Sequence, residues 1–236
     1  MELGEIITDA LTYPLQNIKA LVIYIIFGII LGLAVGGTVA GIVAGSAAKN
    51  ALAVIGSGIL GIIVALVLGF FISGYQLDIT KYGIERSSAG PEIDFVRQFI
   101  NGVKLFVVTV VYMIVPIIIS AILAVVFQHW LSTVIKAILT IIFGLALIMG
   151  QCRLAKTEDL GFALAIGDAI GDISRIGILK LLVFIILVFI IYFIIFFILG
   201  AISQWNATVG GILMGILGVY LTFFTGRATG LLYSDV

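Results

Sequence analysis

Asp168 and Asp172 stand four residues apart in LGFALAIGDAIGDISRIGILK, with Glu158 and Asp159 shortly upstream. Carboxylates at i,i+4 share a helical face and could hold a cation between them. Calcium prefers a loop of alternating oxygen ligands, and this is a helical pattern with Arg175 one turn on, so a solvated interfacial face is the simpler expectation. A second charged stretch, PEIDFVRQFINGVK at 91–104, carries Glu92, Asp94, Arg97 and Lys104 and invites an acid–base reading. The single histidine, His129, adjoins Trp130, which suits an interfacial pair better than a proton relay. The single cysteine, Cys152, allows no intrachain disulfide and no cysteine-rich metal site; it is inert or at most a lipidation target. We therefore expect no catalytic, cofactor or metal residues, and a protein that is not an enzyme.

The elements that would position these groups are dictated by composition. Of 236 residues, 63% are hydrophobic and only 10% charged, against about 25% charged in soluble domains. So few charges cannot cover a soluble fold, and lipid must be the solvent for most of the surface. Net charge is zero and no basic run matches a nucleic-acid footprint. The acidic start, with Glu2, Glu5 and Asp9, is unlike the positive n-region of a cleavable signal. Apolar runs long enough to span a bilayer lie at 20–43, 51–74, 105–127, 133–150, 181–200 and 209–226. The fourth is short and holds Lys136, whose amine can snorkel to the headgroups. Pro116 stands mid-span in the third, where it can kink the helix.

Six spans sort the basic residues cleanly. Lys19, Lys81, Arg86, Arg97, Lys104, Arg153, Lys156, Arg175, Lys180 and Arg227 fall on one side, and only Lys49 and Lys136 on the other. The positive-inside rule then places both termini in the cytoplasm of a cell-membrane protein. Trp130 and Trp205 fall in outer connections, where interfacial aromatics belong. Asn206-Ala207-Thr208 in the last outer loop is a glycosylation sequon, short and close to the membrane.

Gly74, Gly150 and Gly226 each close an even-numbered span, and Lys104 and Lys180 each precede an odd one, all at a common spacing. FINGVKLFVV resembles SRIGILKLLV, and LQNIKALVI is a third version. The chain reads as three internal repeats, 1–74, 75–150 and 151–226, each an interfacial amphipathic helix, a span out, a short turn and a span back. In 91–104, Ile93, Val96, Ile100 and Val103 form the apolar face, opposite Glu92, Arg97, Gln98 and Asn101, with Pro91 at the first helical position. Phe162, Ile166, Ile170 and Ile173 form the apolar face in the third unit; Ile6, Ala10 and Tyr13 point towards lipid in the first.

Small residues recur at 32/36, 37/41 and 41/45, so Gly32, Gly36, Gly37, Gly41 and Gly45 are expected to let spans one and two pack closely. No Asp, Glu, Arg or His lies at midplane depth. Ser57, Thr109, Ser120, Thr140 and Thr222 can bond their own helix carbonyls. That weighs against ion-coupled transport and intramembrane catalysis.

At GYQLDITKYGIERSSAGPEIDFVRQFINGVKLFVVTVVYMIVP the chain resembles the DUF4013 family of archaeal polytopic membrane proteins of unknown function. The carrying features are Gly74-Tyr75, the basic linker, Pro91-Glu92 with Phe95, Gly102-Val103-Lys104, Tyr112 and Pro116; DALTYPLQNIKAL resembles the family's start. A tryptophan usual after the Pro-Glu segment is absent, and the first outer turn is rich in Gly and Ala. The resemblance implies architecture and an archaeal plasma membrane, with no site residues. The expectation is an all-α integral membrane protein of six transmembrane helices in three hairpins. Its role would be a scaffold or accessory subunit whose partners are lipids and either copies of itself or another membrane protein. The alternative is a permease-like protein for a lipid or other amphiphile, and a third class is a headgroup enzyme using Asp168 and Asp172.

Overall fold

The computed structural model describes residues 1–126 and 130–236. Its regular elements are α1 (Leu3–Gln16), α2 (Ile18–Ala47), α3 (Ala51–Ile84), α4 (Phe95–Val126), α5 (Trp130–Thr157), α6 (Leu160–Ala163), α7 (Ile166–Ile176), α8 (Ile178–Trp205) and α9 (Ala207–Tyr233). No strand occurs among the described residues. Six helices, α2, α3, α4, α5, α8 and α9, are long and apolar enough to cross a bilayer. The chain is an all-α multi-pass membrane protein, and both termini lie on one face, where the N-terminal ammonium meets Asp235.

The returning helices α3, α5 and α9 do not stop at Gly74, Gly150 and Gly226 but run on to Ile84, Thr157 and Tyr233. These extensions carry polar side chains beyond the apolar segments. The α2–α3 and α8–α9 turns at the opposite face are fixed by asparagine caps. Asn50 Oδ1 accepts from Ala53 N at 3.1 Å, and Asn206 Oδ1 accepts from Thr208 N and Val209 N, each at 3.1 Å.

Three amphipathic segments precede α2, the span in α4, and α8, but they are built differently. The chain breaks at Asn17 between α1 and α2, and at Gly177 between α7 and α8. Gly177 has φ 95°, a backbone state that glycine adopts without a Cβ clash. In the middle segment the helix begins at Phe95 and passes through Lys104 into the span unbroken; Pro91 and Glu92 precede it as loop. Asp94 acts at its start, where Oδ1 accepts from Arg97 N at 3.1 Å.

α3 and α9 cross at the centre, with α2 against both. α4 packs on α3, α5 on α4 and α3, and α8 on the other side of α9. Glycines set how near these backbones come. A methyl on Gly74 would collide with the Gln98 backbone, and one on Gly102 with that of Phe70, which fixes the α3–α4 crossing. Gly28 and Gly215 abut in the same way where α2 meets α9.

Two faces assigned from periodicity turn out the other way round. Ile6, Ala10 and Tyr13 are buried against protein, since α1 lies on α9 instead of presenting this face to lipid. In α4, Gln98 and Asn101 are buried while Val96 and Ile100 are exposed. With lipid as solvent, the apolar side can face outward and the polar side can seal onto polar groups of the spans. In α7, Ile173 is buried with Ala169, whereas Phe162 before it and Ile170 stay exposed.

The predicted glycine seam divides. Gly41 faces Ser57 and Gly45 faces Val54, both on α3, while Gly32 faces Gly211 on α9. Gly36 and Gly37 make no close approach: an added methyl at either meets nothing within 4 Å. α9 begins at Ala207, so one turn beyond the Gly32–Gly211 contact it has ended and α2 continues without that neighbour.

Candidate functional site

The polar groups gather in a layer at the face carrying both termini, organised around three ion pairs. In each, a returning helix supplies one charge within about a turn of its glycine, and an amphipathic segment supplies the other.

The first node centres on Asp78 of α3. Its Oδ2 accepts from Arg97 Nη2 at 3.1 Å and Gln98 Nε2 at 3.3 Å, and its Oδ1 from Asn101 Nδ2 at 3.0 Å. Arg97 and Gln98 also donate to Glu92 O, at 2.7 and 3.1 Å, which ties the preceding loop to the node. Tyr24 Oη of α2 donates to Gln98 Oε1. Its ring stacks on Tyr75 at 4.4 Å, and Tyr75 Oη donates to Pro91 O at 3.1 Å. Helical spacing puts Arg97, Gln98 and Asn101 on the side of α4 that meets α3, so one buried carboxylate collects three donors.

The second node reverses the charges. Arg153 of α5 donates from Nη1 to Asp172 Oδ2 at 3.1 Å, from Nη2 to Asp168 Oδ2 at 3.0 Å and from Nε to Phe162 O at 2.9 Å. Asp172 is 1% exposed and also accepts from Tyr233 Oη at 2.7 Å and Arg175 Nη1 at 3.2 Å. The two aspartates, expected on a solvated face and considered for a cation, converge instead on a guanidinium that fills the space between them, as its forked donors allow, and Asp172 is buried. In the third node Arg227 of α9, 3% exposed, reaches Asp9 of α1 at 2.7 Å and donates to Ser87 O at 2.5 Å. Its guanidinium lies 4.8 Å from the Tyr13 ring. Burial pushes the Tyr13 hydroxyl up to about 12 against the opposing pull of Arg227.

An outer ring of exposed pairs surrounds these nodes. Glu158 pairs with Lys81 at 2.5 Å, and Lys104 Nζ donates to Glu158 O at 3.0 Å. The Lys81 hydrogen bond holds the Glu158 carboxyl below the usual range. Asp235 gathers Arg86, Lys180 and the N-terminal ammonium. Asp159 is occupied as the N-cap of α6, accepting from Gly161 N at 2.6 Å. Glu158 and Asp159 therefore do not join Asp168 and Asp172, and no group of three or more metal-ligating side chains forms among the described residues.

Cys152 is buried, with Sγ 3.8 Å from Thr229 O. Ser57, Thr109, Thr140 and Thr222 donate to the carbonyls of Ala53, Leu105, Lys136 and Gly218 in their own helices. The predicted His129–Trp130 pair involves a histidine outside the described residues. Asn206 is exposed, its carbonyl engaged in capping α9.

Sequence reading overlooked Asp78 and the inward role of Gln98 and Asn101. One signal was present: Asp78–Arg97 and Arg153–Asp172 are opposite charges at the same separation of 19 residues.

No curated protein and no solved structure matches the chain. The family model of DUF4013, a protein of unknown function, matches residues 59–204, more than half of the 236 residues and including the Asp78–Arg97 and Arg153–Asp172 ion pairs. The chain belongs to the DUF4013 family.

Proposed function

We propose that this protein is a non-catalytic membrane scaffold or accessory subunit, built from three copies of a helical hairpin unit, that packs against itself or a partner membrane complex. The carrying observation is how its polar groups are used: the buried charges among the described residues, Asp78, Asp172 and Arg227, each hold one helix to another. Groups committed to intramolecular pairs position helices rather than substrates. The outer faces, including the Phe189, Phe193 and Phe197 row of α8, offer apolar surface to lipid or to a neighbouring helix. The basic residues at the terminal face support a plasma-membrane orientation with both termini cytoplasmic.

Extraction under mild conditions followed by native mass spectrometry tests the role. A stoichiometric partner or defined oligomer supports it, and a clean monomer overturns it. Orientation is read by labelling Ser46→Cys and Ser88→Cys in a Cys152→Ala background with an impermeant maleimide; only the cysteine at 46 should react in intact cells.

One observation favours the lipid-permease alternative. A groove of about 340 Å³ runs between α2 and α9, lined by Gly28, Gly32, Gly211, Gly215 and Gly218. Lipid scrambling or uptake by reconstituted vesicles, abolished by Gly211→Leu, would favour that reading over the scaffold.

A further inference from the structure

The three lysines that mark the membrane edge are not used alike. Lys104 is tied to Glu158 O at 3.0 Å, and Lys180 to Asp235 at 3.4 Å. Lys19, the counterpart in the first turn of α2, is exposed and belongs to no ion pair among the described residues. It instead lines a cavity of about 530 Å³ between the α1–α2 break and the α3–α4 loop, within the size range of small-molecule sites.

The walls of this cavity are held in place. Tyr75 at its back donates to Pro91 O, and the loop runs so close to Asn17 that a side chain at Gly90 would strike its amide. The mouth presents Lys19 and Glu92, one charge of each sign, both exposed and neither in an ion pair among the described residues. Ile23 and Phe95 form an apolar floor. From Phe95 the surface continues as an aromatic track, with Phe27, Phe71 and Phe99 ring to ring at 5.4–5.9 Å. The apolar end thus points into the membrane and the charged end lies at its surface.

We propose that this cavity binds one membrane phospholipid with a zwitterionic headgroup, phosphate on Lys19 and ammonium on Glu92, its chains lying along the Phe95–Phe71 track. Opposed charges at the mouth distinguish this headgroup from a purely anionic one, which Lys19 would attract and Glu92 repel. The inference is independent of whether the protein is a scaffold or a permease.

The test is native mass spectrometry of the full chain in detergent. Phosphatidylethanolamine and phosphatidylglycerol of identical chains compete, with Lys136→Ala as a control. The wild type should retain one phosphatidylethanolamine in preference. Lys19→Ala should lower that retention about five-fold, as loss of a charge-assisted contact of about 1 kcal/mol implies. Glu92→Gln should shift the preference towards phosphatidylglycerol. Both residues are exposed and unpaired, so an unchanged helical spectrum is expected and serves as the folding check. The proposal is overturned if phosphatidylglycerol binds the wild type equally or better, if neither lipid is retained, if Lys19→Ala binds like wild type, or if Glu92→Gln leaves the selectivity unchanged.

Discussion

Replacing Asp172 by alanine removes the acceptor at the centre of the second node. Three donors lose their partner: Arg153 Nη1, Arg175 Nη1 and Tyr233 Oη. The Arg175 side chain is 70% exposed, so its pair contributes only about 0.5 kcal/mol or less. Tyr233 is buried, and its unmatched hydroxyl costs about 1–3 kcal/mol. Arg153, 13% exposed, would forfeit a partner of the kind whose loss costs about 3–5 kcal/mol when burial is complete. It keeps Asp168 and Phe162 O, however, which places the whole effect near the low end, at about 3 kcal/mol. Equilibrium unfolding in mixed detergent micelles, followed by far-ultraviolet circular dichroism, measures it. Arg153→Met should recover part of the loss when added to Asp172→Ala, because the largely buried guanidinium that has lost one of its two carboxylates is then gone; contacting residues couple by about 0.5–3 kcal/mol. A single-variant cost below about 1 kcal/mol, or strict additivity in the double variant, would refute the view that this pair holds α7 to α5.

Other perturbations probe separate parts of the argument. Gly74→Leu drives a side chain into the Gln98 backbone and should destabilise the α3–α4 crossing by at least about 1–3 kcal/mol, whereas Gly36→Leu should be near neutral; the same unfolding assay compares them. Asn206→Ala removes the α9 cap and should cost about 1 kcal/mol. Glu158 titrates below its ordinary value when folded, so its pairing with Lys81 stabilises the fold above the unfolded carboxylate range and loses that effect as pH falls through the lowered folded value. Glu158→Gln should therefore flatten the acid limb of a stability–pH curve, and an unchanged limb would contradict the pairing.

Span number and helix content were legible because six apolar runs have no other stable solvent, and the apolar parts of the returning helices close at glycines that permit close packing, although the helices themselves run on. What could not be read was which side of an amphipathic helix faces inward. A pattern such as Val96, Gln98, Ile100, Asn101 gives the two faces of α4 without saying which is buried. In water the apolar side would be inside; at a bilayer edge the neighbours decide, and here Asp78 draws the polar side in. Asp78 itself escaped notice because it follows the apolar run, where a carboxylate normally reads as solvated. The Asp168–Asp172 spacing correctly placed both carboxylates on one side of α7, but only tertiary structure could supply Arg153 between them. The glycine repeat at 32–45 showed small residues without showing where α9 begins, so Gly36 and Gly37 could not be separated from Gly32.

The pairing of Asp9 with Arg227 has a consequence for how the molecule is made. Asp9 emerges from the ribosome 218 residues before Arg227, and the two meet only once α9 is in place. Until α9 has been inserted, Asp9 lacks its guanidinium and Ile6, Ala10 and Tyr13 lack the helix that covers them. A chain in which α9 is not yet inserted is thereby marked by an uncovered α1, and arrival of α9 conceals the mark. Insertion of α9 is itself the event that closes the structure.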